Sequence, residues 1–341
     1  MSLRIIALSV TLALTGCSAT VDSQPTPIVS EPTPKTYISQ PEVLEFIDHM
    51  VNKHQYDRQL LVDIFSKTEK RVQVITKSDN QPEVITPYYE YRKRFIDPVR
   101  VRDGVAFARK NKAWLDKAEA EFGVPWPVIV ALIGVETSYG RITGNRDVFT
   151  SLATLAFDYP RRGQYFRSEL EAYLILARQE GWTVGTTKGS YSGALGMVQF
   201  MPSNYLKLAI DYDGNDHVDL WGSNADAIGS VANYMKHHGW QAGAYTVSTA
   251  RVDDESAVDD LINKGRKPLY TLREWSEKGV WSTSEYVYGD AGLIGLQDKE
   301  GSKAYWLAYE NFFTIMDYNP SRRYAMAVLE LANRIAQSEG S

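Results

Sequence analysis

Glu136 is the side chain of this sequence best placed to handle a proton. It closes the stretch Val128-Ile-Val-Ala-Leu-Ile-Gly-Val135, in which no side chain is polar, and it precedes Thr137, Ser138 and Tyr139. A carboxylate in apolar surroundings without a cation is costly to ionise, so its pKa is expected to rise and its proton to stay on near neutrality. A general acid needs that; a helix-end glutamate that merely reaches back to water fits the same letters. No second Asp or Glu has an equally apolar context, since Asp147 and Asp158 fall in loops where turn roles are available. Gln199 is the second candidate, an amide inside Gly193-Ala-Leu-Gly-Met-Val-Gln199-Phe-Met-Pro-Ser203. A buried amide left unpaired is costly, so Gln199 requires a partner, either protein or ligand. A third group is a run of oxygens: Asp211, Asp213, Asn215 and Asp219 stand at positions 1, 3, 5 and 9 of a loop, as in an EF-hand. The run departs from that pattern with Asp216 at position 6, where glycine is expected, and Gly222 at position 12, where a bidentate Glu belongs. Asp226 would close a longer loop. The oxygen count points to bound calcium; a turn rich in Asp is the alternative.

These residues need elements to hold them. Pro127 suits the first turn of a helix, where its missing N–H has no partner to lose. The run it opens has no wet face, so this helix should lie inside the protein. Apolar positions 43, 44, 46, 47 and 50 give a helical spacing at the start of 41–70, with a second helix over 57–69. Further helices are predicted over 100–122 (one or two), 149–157, 165–179, 226–240 and 322–336. Residues 72–75 and 83–85 read as extended. The glycines of 193–203 allow close backbone approach, Pro202 breaks the run, and Ser203 can cap the next helix. From 242 to 313 the pattern changes to short β-branched or aromatic stretches (245–249, 269–271, 287–288, 292–296, 304–309) between Gly and Asp turns. That predicts a small antiparallel sheet, with a helix at 256–264. His49 and His54 have no acidic or thiol partner at ligand spacing and read as surface residues.

The 341 residues carry a formal net charge of −5 with both signs interspersed, which argues against nucleic acid as a partner. The 21 Tyr and 8 Trp would serve a core or stack on sugar rings, and composition alone does not choose. Arg4, an apolar run and small residues make 1–17 a secretory signal, too short to span a membrane. Residues 18–41, rich in Pro, Ser and Thr, read as a flexible tether. Beyond it about 300 residues remain, enough for a sizeable core. Cys17 is the only cysteine, so no intramolecular disulfide forms. Phosphate-cradling glycine loops, Ser nucleophile elbows and HExxH are absent from the sequence.

Several stretches together resemble a known family. Leu14-Thr-Gly-Cys17 resembles a bacterial lipobox, which implies cleavage before Cys17, lipid on its thiol and new amino group, and, with Ser18, retention at the outer membrane facing the periplasm. Gly134-Val-Glu136-Thr-Ser-Tyr-Gly-Arg, the Gly193 to Ser203 stretch, Asp226-Ala-Ile-Gly-Ser-Val-Ala-Asn-Tyr and Tyr309-Glu-Asn-Phe-Phe with Tyr318-Asn319 resemble the lytic murein transglycosylase B family, membrane-bound lipoprotein form. The family's Glu is usually followed by Ser, where this chain has Thr137. The resemblance implies an α+β, mainly α fold: a lysozyme-like catalytic core (116–240, with the EF-hand-like loop 211–226), a helical domain (42–115 with 318–341) and a small antiparallel β domain (241–317). It implies cleavage of the β-1,4 bond between N-acetylmuramic acid and N-acetylglucosamine in peptidoglycan strands, leaving a 1,6-anhydro-muramyl end. Glu136 would act first as acid and then as base, with no cofactor for catalysis. By the same resemblance Tyr91, Ser190, Gln199, Tyr318, Asn319 and Tyr324 are cleft residues, and Arg161 and Arg162 hold a peptide or lactyl carboxylate unless they are simply solvated. Structural calcium falls on Asp211, Asp213, Asn215, His217 and Asp226, and cell-wall synthesis proteins are further partners. The nearest alternative is a lysozyme-like muramidase that uses water, which a second carboxylate facing Glu136 would indicate. A wall-binding lipoprotein without chemistry would not need the proton donor.

Overall fold

A computed structural model describes residues 36–79, 86–285 and 287–340. The signal, Cys17, most of the tether and the extended reading of 83–85 lie outside them. In chain order the helices are α1 (Pro41–His54), α2 (Arg58–Lys67), α3 (Val72–Asp79), α4 (Tyr88–Tyr91), α5 (Pro98–Lys110), α6 (Lys112–Phe122), α7 (Trp126–Thr137), α8 (Val148–Asp158), α9 (Gly163–Gln179), α10 (Pro202–Leu208), α11 (Asn224–His237), α12 (Leu272–Glu277), α13 (Glu310–Tyr318) and α14 (Arg322–Glu339). The strands are β1 (Arg146–Asp147), β2 (Lys188–Gly189), β3 (Val247–Val252), β4 (Tyr270–Thr271), β5 (Val280–Ser282), β6 (Asp290–Lys299) and β7 (Ser302–Ala308). The fold is α+β and mainly helical, as the sequence implies.

α7 is the hub. Pro127 sits in its first turn, and the preceding Trp126 N–H is taken by Glu119 Oε2 at 3.0 Å. Every side chain from Val128 to Val135 is buried, because α5, α6, α11 and α14 pack around it. Ile129, Val130, Leu132 and Ile133 are wholly excluded from water, each stabilising the fold by roughly 1.5–3 kcal/mol. Around this hub α8 packs on α9 and α11 on α6. Among the described residues no single helix is long and apolar enough to cross a membrane.

The sheet is antiparallel in the order β4-β6-β7-β3-β5. β6 is buried on both faces: Ile294 and Leu296 join the main core, while Ala291 and Leu293 join a second cluster around Trp275. The Trp275 indole N–H donates to Ala291 O at 2.8 Å inside that cluster. A separate two-stranded ribbon pairs β1 with β2.

Four local expectations are corrected. Residues 72–75 are helical, not extended: of that β-branched run only Val74 is buried, and α3 lies on α8, so packing on a helix overrides local propensity. The strand expected at 287–288 is absent, Tyr288 being 71% exposed, and β5 takes its place at Val280–Ser282. The helix expected over 256–264 is a single 3-10 turn, Glu255–Ala257, because Asn263 turns to left-handed φ and its amide bonds Gly295 across to β6. The segment read as tether is already structured at its end: Tyr37 is buried and donates to Asp158 Oδ2 at 2.6 Å.

Candidate active site

Glu136 is the penultimate residue of α7, and the chain leaves the helix abruptly after it. Ser138 and Tyr139 both adopt left-handed φ, 52° and 61°, a conformation that costs non-glycine residues of order 1 kcal/mol each. A set of bonds holds it in place. Tyr139 Oη donates to Arg100 O at 2.8 Å, and Arg100 Nη1 donates to Gly134 O at 2.8 Å. Thr137 Oγ1 donates to Met197 O at 2.7 Å and accepts from Gly140 N at 3.0 Å. Gly134 is required here, since a Cβ would come within 2.7 Å of Tyr139 Oη.

Glu136 opens onto a cleft of about 930 Å³. Tyr324, from the first turn of α14, is 3% exposed and donates its hydroxyl to Glu136 Oε1 at 2.5 Å. Tyr318, at the end of α13, donates to Val198 O at 2.6 Å. Burial first, and then the negative charge of Glu136, push both phenols well above their ordinary pKa. They are therefore fixed donors and not bases. Gln199, at φ 51°, spends its amide nitrogen on Gly196 O (2.9 Å) and Thr143 O (3.1 Å), which leaves its carbonyl oxygen for a ligand. Ser190 Oγ accepts from Ala194 N at 2.9 Å, and Ser190, Asn319 and Arg162 line the same cleft.

Three of the expected cleft residues do not line it: Tyr324 meets the site through Glu136, and Tyr91 and Arg161 are set back from it. Tyr91 is 2% exposed with its ring 5.1 Å from Phe95, and its neighbour Tyr88 lines the cleft instead. Arg161 lies in a side recess it shares with Arg162, 3.4 Å from Asp79. The second carboxylates considered from sequence are also elsewhere. Asp147 Oδ1 caps α8 through Thr150 N at 2.7 Å, and Asp158 is held by Tyr37 and by Lys70 at 2.9 Å. Among the described residues the other carboxylate lining the cleft is Asp317, paired to Arg266 at 2.9 Å. Sequence reasoning missed Asp317, Arg266 and Tyr234, whose hydroxyl donates to Asp317 O at 2.8 Å. Tyr234 ends a motif already quoted above, but nothing local distinguishes it from a core tyrosine.

The oxygen-rich loop converges in part. Asp211, Asp213 and Asp226 each offer an oxygen within 4.8 Å of the others'. Asp226 is fully buried, and its two oxygens accept Tyr212 N and Asp219 N, each at 2.8 Å. At Asp211 desolvation opposes ionisation, but N–H donors from Asn215, Asp216 and Gly214 outweigh it and hold the carboxyl below its ordinary pKa. Asp216 adopts φ 66°, so an Asp performs the left-handed turn for which glycine was expected. Asn215 Oδ1 accepts His217 N at 2.9 Å, and the His217 ring lies 3.4 Å from Glu180; at position 7 of such a loop it is the backbone oxygen that ligates, so the ring's placement bears only on Glu180. His49 and His54 do have an acidic partner: both meet Glu171 from α9, at 3.0 and 2.7 Å.

A family model described as the transglycosylase SLT domain matches residues 39–333. The membrane-bound lytic murein transglycosylase B of Escherichia coli (strain K12) is 39% identical over 312 residues, covering 88% of this chain and 84% of that protein. The chain belongs to the lytic murein transglycosylase B family. The family's solved structures agree with the fold. The soluble lytic transglycosylase SltB1 of Pseudomonas aeruginosa superposes with a TM-score of 0.81 at 38% identity, covering 88% of this chain and all of that one. The Escherichia coli lytic transglycosylase Slt35 in complex with calcium superposes with a TM-score of 0.79 at 38% identity, covering 88% of this chain and 94% of that one.

Proposed function

We infer that this protein cleaves the β-1,4 bond between N-acetylmuramic acid and N-acetylglucosamine of peptidoglycan, forming 1,6-anhydro-muramyl ends, and that Glu136 is the carboxylate responsible. One observation carries the assignment of the residue: Glu136 ends an otherwise apolar buried helix, faces the cleft, and has Oε1 fixed by a buried phenol. The other cleft carboxylate, Asp317, is paired with Arg266. A two-carboxylate hydrolase lacks its second member in this arrangement. In the reaction, Glu136 gives its proton to the glycosidic oxygen as the C1–O4 bond breaks. The carboxylate so formed takes the proton of the C6 hydroxyl as that oxygen bonds to C1. The substrate's own N-acetyl group stabilises the cationic carbon, and water takes no part. Tyr324 positions the carboxylate; Ser190, Gln199, Tyr318, Asn319 and Arg162 line the sugar path.

The Escherichia coli relative solved with calcium supports a structural ion here. The donor set fits: three carboxylates with convergent oxygens are what a hard cation takes, and Asp211, Asp213 and Asp226 would hold it, with Asn215 and the backbone oxygen of His217 as the further oxygens of the loop. The family's membrane-bound member supports an extracytoplasmic location. Lipidation of Cys17, a tether, outer-membrane anchoring and contact with cell-wall synthesis proteins complete the reading, as does division into a helical part (42–115 with 318–341), a catalytic core (116–240) and a β part (241–317). Mass spectrometry of soluble products from purified peptidoglycan tests the chemistry. Anhydro-muropeptides that vanish with Glu136→Gln are the expected result. Reducing ends in their place would mean that water is the nucleophile, and would overturn it.

A further inference from the structure

The chain as a whole is negative, at −5, yet one groove of about 520 Å³ gathers positive charge. α3 with its leading residues forms one wall and the β1–β2 ribbon the other, bringing together Lys70, Arg71, Lys77, Arg146 and Lys188. Lys70 is paired with Asp158 at 2.9 Å. Arg71, Lys77, Arg146 and Lys188 are exposed, and among the described residues none has a carboxylate within the 4.0 Å of an ion pair. Asp147, the carboxylate in the lining, caps α8 through Oδ1, and its Oδ2 is buried away from the exposed cations. Like charges gathered without partners repel and do nothing for the fold, so their grouping points outward, to an anion. The groove lies beside the Glu136 cleft. Tyr191 lines both, Lys77 Nζ stands 5.9 Å from the Tyr191 ring centre, and β2 runs straight on into Ser190 of the cleft wall.

We propose that this groove receives the carboxylate-bearing stem peptide of the glycan strand seated in the cleft. The proposal rests on the cleavage reading above. The backbone of the glycan is uncharged apart from its peptide branches, and those branches carry free carboxylates. A branch leaving the sugar chain beside Ser190 meets a groove that shares the cleft's own wall. Exposed cations attract carboxylates without burying them, so the groove acts on capture and on discrimination between substrates, and salt screens it.

The test compares the full chain in detergent with the triple variant Lys77→Gln, Arg146→Gln, Lys188→Gln, whose melting temperature should match the parent's because no ion pair among the described residues is removed. A free acidic stem tetrapeptide should bind the parent, while its fully amidated form should not, and the variant should bind neither. On glycan strands bearing acidic stems, the variant's loss of kcat/KM should exceed its loss on strands whose stems are fully amidated by about tenfold, should appear in KM, and should shrink as salt is raised. Equal losses on the two substrates, or a parent that binds acid and amide alike, would overturn the proposal. Peptide discrimination without any turnover would keep the groove and remove the cleavage reading; turnover without discrimination would do the reverse.

Discussion

At the scale of single residues the site is a carboxylate held by a phenol. Tyr324→Phe removes the donor to Glu136 Oε1 with little change of shape. The expected result is a fall in kcat of about 10- to 100-fold with KM nearly constant, because the bond positions the reacting group and does not hold the sugar. Steady-state kinetics on defined glycan strands decides it, and a purely structural tyrosine would instead lower the melting temperature at unchanged kcat. Since burial and the Glu136 charge raise Tyr318 and Tyr324, neither should ionise below about pH 10, and the alkaline limb of the rate profile should not move in either Phe variant. Glu136 was legible from sequence because a carboxylate interrupts an apolar run. Tyr324 was not legible locally. It lies 188 residues away, and only family resemblance named it. Asp317 and Arg266 form an ion pair, and such a pair leaves no mark in a sequence when its members stand 51 residues apart.

At the scale of elements, the end of α7 depends on a hydroxyl. Thr137 ties the helix to the 193–200 loop through Met197 O, a bond that needs a hydroxyl and that Ser could make equally well. Thr137→Val keeps the volume and strands a buried carbonyl, so it should cost about 1–3 kcal/mol in denaturant unfolding, whereas Thr137→Ser should cost less than about 1. Equal losses for the two would remove the hydrogen bond as the reason. Elements were readable where apolar spacing was helical, as in α1, α8, α9 and α14. They were misread where β-branched residues lie on a helix, as at Val72 to Ile75, or where a three-residue strand such as β5 is too short to show a period.

At the scale of the whole molecule, the acidic loop fastens the start of α11 to the segment before it. Asp226 accepts backbone N–H groups from both Tyr212 and Asp219, and among the described residues Asp211 and Asp213 stand beside it without a protein cation of their own. Calcium bound to the native state alone should raise the melting temperature by about 5 °C at a hundredfold excess over its dissociation constant, and a chelator should reverse the gain. A calorimetric scan with and without chelator that shows no difference would remove the ion from this fold.

β6 belongs to two cores at once, Ile294 and Leu296 on one face and Ala291 and Leu293 on the other. Gly295 and Leu296 of the same strand line the cleft. A hinge through this wall would have to tear one core from the strand or break the strand itself. The cleft is then a slot of set width and not a jaw. A glycan strand must be laid in or threaded through it, and the thickness of what can enter is decided before the substrate arrives.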